Sequence, residues 1–171
     1  MTVTTGPALL DRRLRHFGVS LGHLTEGSAE AWIRTLGLPA AAQACTHRAQ
    51  FPFPHVAVSV ALPTGVSRPV EMAGSAFLEA AAAASAAHAS GRSGRAIHYR
   101  GWSAISGRVT VGDVLATTEV VRVIARNTHA APGDTLAAGR GLTPHWMDGE
   151  LTILAEPGPD GTLIPLPGFA R

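Results

Sequence analysis

The sequence predicts an α+β fold in which a strongly curved antiparallel sheet wraps around one central alanine-rich helix. Three observations lead there. Residues 73–89 form one long apolar stretch, a few strand-like segments precede it, and a longer series of β-rich segments separated by turn residues follows it. A helix lying on a flat sheet shows a polar face, whereas Ala73, Ala76, Phe77, Leu78, Ala84 and Ala87 point in nearly every direction. Such a helix is expected to be surrounded, and alanine side chains let the sheet close at short distance.

In chain order, residues 8–17 read as a short amphipathic helix, with Leu9, Leu10 and Leu14 opposite Asp11, Arg12, Arg13 and Arg15. Residues 19–24 and 28–35 read as two strands flanking the turn pair Glu26-Gly27. Residues 37–54 read as a loop over the sheet, since Pro52 and Pro54 exclude a central strand there. A β-branched strand over 56–62 ends at Pro63-Thr64-Gly65, and the helix runs over about 71–89. Strands are then expected over 96–106, 108–111, 114–125, 135–142 and 150–155, punctuated by Gly112-Asp113, Gly133-Asp134 and Asp148-Gly149. Residues 1–171 make one domain, with a core over about 18–156 and a coil-like tail over 157–171 rich in Pro and Gly.

Length and a 46% hydrophobic content suffice for one proper core. The formal charge is +2, and the fourteen basic residues, all arginine, are scattered rather than clustered. That pattern argues against a nucleic-acid partner, because phosphate tracking needs a basic stripe. Cys45 is the one cysteine, so no intrachain disulfide or thiolate-rich metal site is possible, and a cytoplasmic location is expected. No signal peptide is evident, and the apolar stretch, built from Ala and Ser around Glu79, is a poor membrane span. The eight histidines show no paired metal-ligand spacing, so neither a metal nor another cofactor is expected.

Glu79 is the one ionisable side chain between Met72 and Ala87. Held in apolar surroundings, a carboxylate is destabilised in its charged form and suits a general acid. The alternatives are a solvent-facing position or a salt bridge to an arginine. Gly74, five residues earlier, is expected in the first turn of the helix. There its N–H can hold a carbonyl oxygen as charge develops on it, or the glycine can simply permit close packing.

The run Pro69-Val70-Glu71-Met72-Ala73-Gly74-Ser75-Ala76-Phe77-Leu78-Glu79-Ala80 resembles the motif that opens the central helix of the bacterial β-hydroxyacyl-acyl carrier protein dehydratases. That motif reads Pro-Val-Met-Pro-Gly, three or four apolar residues, then an acidic residue and Ala. Arg108-Val109-Thr110-Val111-Gly112-Asp113-Val114-Leu115 is similar to the Pro-Gly-Asp turn leading into that family's long third strand. The resemblance covers about residues 69–155 and implies a hot-dog fold. It also implies dehydration of a β-hydroxyacyl thioester in fatty-acid or polyketide synthesis. On that implication a histidine removes the α-proton, Glu79 protonates the leaving hydroxyl and the Gly74 N–H holds the thioester carbonyl.

The family's histidine lies in Gly-His-Phe-Pro shortly before the helix. Here residues 62–68 read Leu-Pro-Thr-Gly-Val-Ser-Arg, and His55 after Phe51-Pro52-Phe53-Pro54 is the nearest equivalent. Ala73 stands where the family has proline, and Glu71 is an insertion. Met72, Ser75, Phe77 and His98 are the candidates to line the acyl site. The implied partners are an acyl carrier protein or coenzyme A thioester and a second hot-dog subunit, identical or not. A thioesterase, a polyketide isomerase or cyclase, and a degenerate partner subunit are the alternatives.

Overall fold

The computed structural model describes residues 13–167. Among the described residues no helix is long and apolar enough to cross a membrane. The described residues are α+β, with a large, curved, mostly antiparallel sheet and three α-helices. Its first half contributes β1 (Leu14–His23), α1 (Glu26–Thr35), β2 (Gln43–Ala49), β3 (His55–Pro63), α2 (Leu78–Ala89) and β4 (Arg95–His98). The second half contributes β5 (Gly107–Thr110), α3 (Val111–Thr117), β6 (Arg122–Ala125), β7 (Thr128–His129), β8 (Thr135–Gly139), β9 (His145–Met147), β10 (Glu150–Pro157) and β11 (Leu163–Pro165). The strand order is β1-β3-β2-β4-β9-β10-β11-β8-β5, with β6 and β7 branching from β10, and only β10–β6 and β11–β8 are parallel.

Side chains alternate across β1, β2 and β3 and give the sheet two faces. Val19, Ala44, Val56, Val58, Val60 and Leu62 pack with Ala29 and Ile33 of α1. His16, Gly18, Cys45 and Ser59 face α2 on the other side. A second core, built around Tyr99, Val111, Val114, Leu136, Leu151 and Ile153, fills the space under α3 and the later strands.

Several elements differ from the sequence expectation. Residues 28–35 form α1 rather than a strand. The Thr25 hydroxyl accepts from the Ser28 N–H at 3.1 Å, an N-cap that outweighs the Glu26-Gly27 turn signal, and the buried Ala29 and Ile33 are four residues apart. Residues 43–49 form β2, held between β3 and β4. Alanine there lowers local strand preference, and the flanking strands override it. Residues 111–117 form α3, since the Thr110 hydroxyl accepts from the Asp113 N–H at 3.0 Å in a second N-cap. The tail carries β11, and of the expected helix at 8–17, residues 14–17 belong to β1 while 8–12 lie outside the described residues.

The sheet does not encircle α2. That helix starts at Leu78, after a single 3-10 turn at Val70–Met72, and buries one stripe, Ala81, Ala84 and His88. Ala82, Ala83 and Ala86 are exposed and Leu78 is 73% exposed. Alanine removes the contrast between buried and solvated faces that the sequence argument relies on, because a methyl group is tolerated on either.

Candidate functional site

Strand β1 is the sheet edge on the α2 side, and α2 comes down on it at one glycine. A Cβ built on Gly18 would lie 1.7 Å from the Ala81 carbonyl oxygen, so helix and strand backbones meet there with no side chain between them. The connection leading into α2 crosses the outer edge of β1 two residues further on. The Ser20 N–H donates to Ser75 Oγ at 2.9 Å, and the Ala76 N–H donates to the Ser20 carbonyl at 2.8 Å. This strap satisfies backbone groups that an open edge leaves unpaired.

Beside the Gly18–Ala81 contact lies a cleft of about 380 Å³ between β1, the connection and α2. Phe17, Met72, Leu78, Ala81 and Ala82 give it apolar walls, and His16, Arg68, Ser75 and Ser85 supply its polar groups. Among the described residues no carboxylate lines it. Burial holds the His16 imidazole below its ordinary pKa.

Comparison with protein-family models, curated proteins and solved structures finds no match. The residues themselves therefore carry the functional reading.

Of the residues expected from the sequence, Met72 and Ser75 reach the cleft. His55 and Phe77 meet in an adjoining aromatic stack, with ring centroids 4.9 Å apart and Phe53 5.3 Å from Phe77. His55 is 3% exposed, and both its ring nitrogens are engaged. A carbonyl can only accept, so Nδ1–H donates to the Phe53 carbonyl at 2.7 Å, and Nε2 accepts from the Ser20 hydroxyl at 2.8 Å. Serine, histidine and carbonyl are thus in the order of a nucleophile, a base and its orienting group. Ser20 is 0% exposed, however, and the strap closes its edge, so no substrate atom reaches the hydroxyl. His98 lies elsewhere on β4, bonded to the Pro39 carbonyl at 3.0 Å and packed on Trp102.

Glu79 is a correction. It is exposed in the first turn of α2, not buried in an apolar sleeve, and the helix begins seven residues after the expected start near residue 71. At that position a carboxylate is favoured by solvent and by the helix dipole. Replacing Glu79 with Gln is expected to change stability by less than about 1 kcal/mol, measured by urea unfolding; a larger loss would mean that the carboxylate has a partner inside the protein. Gly74 is also displaced from its expected place. It is exposed, four residues before α2, and a Cβ there would meet nothing within 4 Å, so it neither caps the helix nor packs closely.

The sequence reading missed a buried polar chain under the last turn of α2. Gln43 Nε2 donates to the Glu119 carboxylate at 3.1 Å, which leaves Gln43 Oε1 to accept from His88 Nε2–H at 3.1 Å. His88 Nδ1 then accepts from the Ser59 hydroxyl at 2.9 Å, and Ser59 Oγ accepts from His47 Nε2–H at 2.7 Å. One anionic acceptor thereby fixes both imidazole tautomers, as a carboxylate offers no proton to return. Burial pushes His88 down to about 3 and His47 down to about 4, so both are neutral near pH 7. Cys45 Sγ lies 3.7 Å from His88 Nε2, but burial pushes its thiol pKa up and keeps it an unreactive thiol. Among the described residues no three His, Cys, Asp or Glu side chains are placed to hold a metal ion.

His16 and Arg68 are the other residues missed. His16 was hidden in the expected N-terminal helix. The signal that reveals it is the alternation of His16, Gly18 and Ser20 with Phe17 and Val19, which is strand grammar.

Proposed function

We propose that the protein is a hot-dog-like domain that binds the acyl chain of a thioester in the cleft between β1 and α2, as a binding or partner subunit rather than a self-sufficient dehydratase. The observation that carries this reading is the cleft itself, open at the sheet edge, where apolar side chains of Phe17, Met72, Leu78, Ala81 and Ala82 stand beside the polar groups of His16, Arg68, Ser75 and Ser85. Small ligands bind in concave sites where apolar walls meet a few placed polar groups. The curved antiparallel sheet with an alanine-rich helix on one face, together with the resemblance of residues 69–80 to the dehydratase motif, supports an acyl thioester as the ligand class.

The binding role is favoured over dehydration by the state of the two implied catalytic side chains. Proton transfer needs a base and an acid within hydrogen-bond reach of one substrate. His55 is buried with both nitrogens engaged, Glu79 faces solvent, and neither lines the cleft. The carrier is a coenzyme A or acyl carrier protein thioester, and the natural partner is a second subunit of the same architecture.

Calorimetric titration with coenzyme A thioesters of increasing chain length tests the reading. Affinity is expected to rise with each added methylene by up to about 0.8 kcal/mol until the cleft is filled, with free coenzyme A binding far more weakly. Equal affinity for coenzyme A and its long-chain thioesters would reject the cleft as an acyl site. Turnover of a β-hydroxyacyl thioester that disappears in Glu79→Gln would instead establish the dehydratase and overturn the binding-only role.

A further inference from the structure

The cleft has a cationic end, and the chemistry there points to what the bound chain must carry. Arg68 lines the cleft and places its guanidinium 5.6 Å from the centroid of the Phe17 ring. Arg15 places a second guanidinium 5.5 Å from the same centroid and donates from Nη2 to the Val66 carbonyl at 2.8 Å. Neither arginine forms an ion pair with a described carboxylate, whereas Arg95 holds both Glu26 and Glu30. Two guanidiniums therefore share one aromatic ring that lines the cleft, and neither is paired with a described carboxylate.

Stacking on an aromatic ring orients a guanidinium while leaving its N–H edge free, and that edge matches the paired oxygens of a carboxylate or phosphate. We infer that Arg68, supported by Arg15, is the anion-recognition end of the cleft, and that the ligand is an apolar chain bearing an anionic oxygen group. This inference rests on the acyl-binding reading above. The shared chemistry has two sources, the carboxylate of a free fatty acid and the phosphate of a phosphopantetheine thioester. Arg68 is exposed, so replacing it leaves the core and the Gly18–Ala81 contact untouched.

The test is fluorescence or calorimetric titration of the full chain and of Arg68→Gln and Arg68→Lys with dodecanoate, methyl dodecanoate and dodecanoyl-phosphopantetheine. The wild type is expected to bind at least one of the two anions about tenfold or more tightly than the neutral ester, a gap of about 1.4 kcal/mol. Arg68→Gln should abolish that preference, Arg68→Lys should restore part of it, and added salt should narrow it. Loss confined to dodecanoate identifies the carboxylate as the recognised group; loss confined to the phosphopantetheine thioester identifies the phosphate. Ester and anions binding equally well to the wild type, or an anion preference unchanged in Arg68→Gln, would overturn the inference and leave the acyl-binding reading standing. Binding of none of the three would overturn both.

Discussion

Gly18→Ala is expected to displace helix α2 from the sheet. The added methyl carbon would stand 1.7 Å from the Ala81 carbonyl oxygen and 2.5 Å from its carbon, and these are backbone atoms that no rotamer change can move aside. Relief requires shifting the helix, which uncovers Ala81, Ala84 and the buried chain around His88. Overpacking alone costs about 1–3 kcal/mol, and loss of the helix contact adds to it. A destabilisation of about 3 kcal/mol or more is expected, seen as a fall of roughly 10 °C in Tm. Gly74→Ala is the matched control, since its methyl group meets open space, and it should leave Tm unchanged. A Gly18→Ala protein as stable as the wild type would show that helix and strand do not touch at this point.

Acid is expected to destabilise the fold well before the carboxylates protonate. His88 and His47 have folded-state pKa values of about 3 and about 4, against about 6.5 in the unfolded chain. Between those limits the unfolded state binds protons that the folded state refuses. The stabilisation is therefore complete above about pH 6.5 and is lost as pH falls towards 4 and 3. Each histidine contributes a slope of up to about 1.4 kcal/mol per pH unit. The groups packed around His88 do not offset this: His16 and His47 carry the same sign of charge when protonated, and Ser59, Gln43, Cys45 and Trp146 are neutral. Glu119 is reached only through the Gln43 amide. Urea unfolding at pH 7, 6 and 5 should show a loss of a few kcal/mol across that range, with a shallower slope in His88→Gln. Stability independent of pH between 7 and 5 would mean that these imidazoles are hydrated in the folded protein.

What could be read from the sequence was local. The β3 strand and its Pro63-Thr64-Gly65 end follow from a β-branched run, β8 and β10 from β-rich segments between turn residues, and all three are found close to where those segments fall. Helices α1 and α3 were concealed because a threonine cap and a Gly-containing turn look alike until the capping hydrogen bond is seen. The alanine-rich helix was recognised, but its alanines could not say which side is wet. The cleft residues Met72 and Ser75 were legible through the motif that precedes α2. The buried chain was not, because His88 meets Ser59 across 29 residues, Gln43 across 45, and Gln43 meets Glu119 across 76. Contacts at such separations leave no periodic trace in a single sequence.

Photo-crosslinking places the ligand most directly. A coenzyme A thioester whose acyl chain ends in a diazirine, irradiated with the full chain and mapped by peptide mass spectrometry, is expected to label residues within 16–18 and 72–85, with competition by the unmodified thioester. Label confined to the β6–β7 hairpin or to the α1 face of the sheet, or label that the unmodified thioester does not displace, would contradict acyl binding in the β1–α2 cleft.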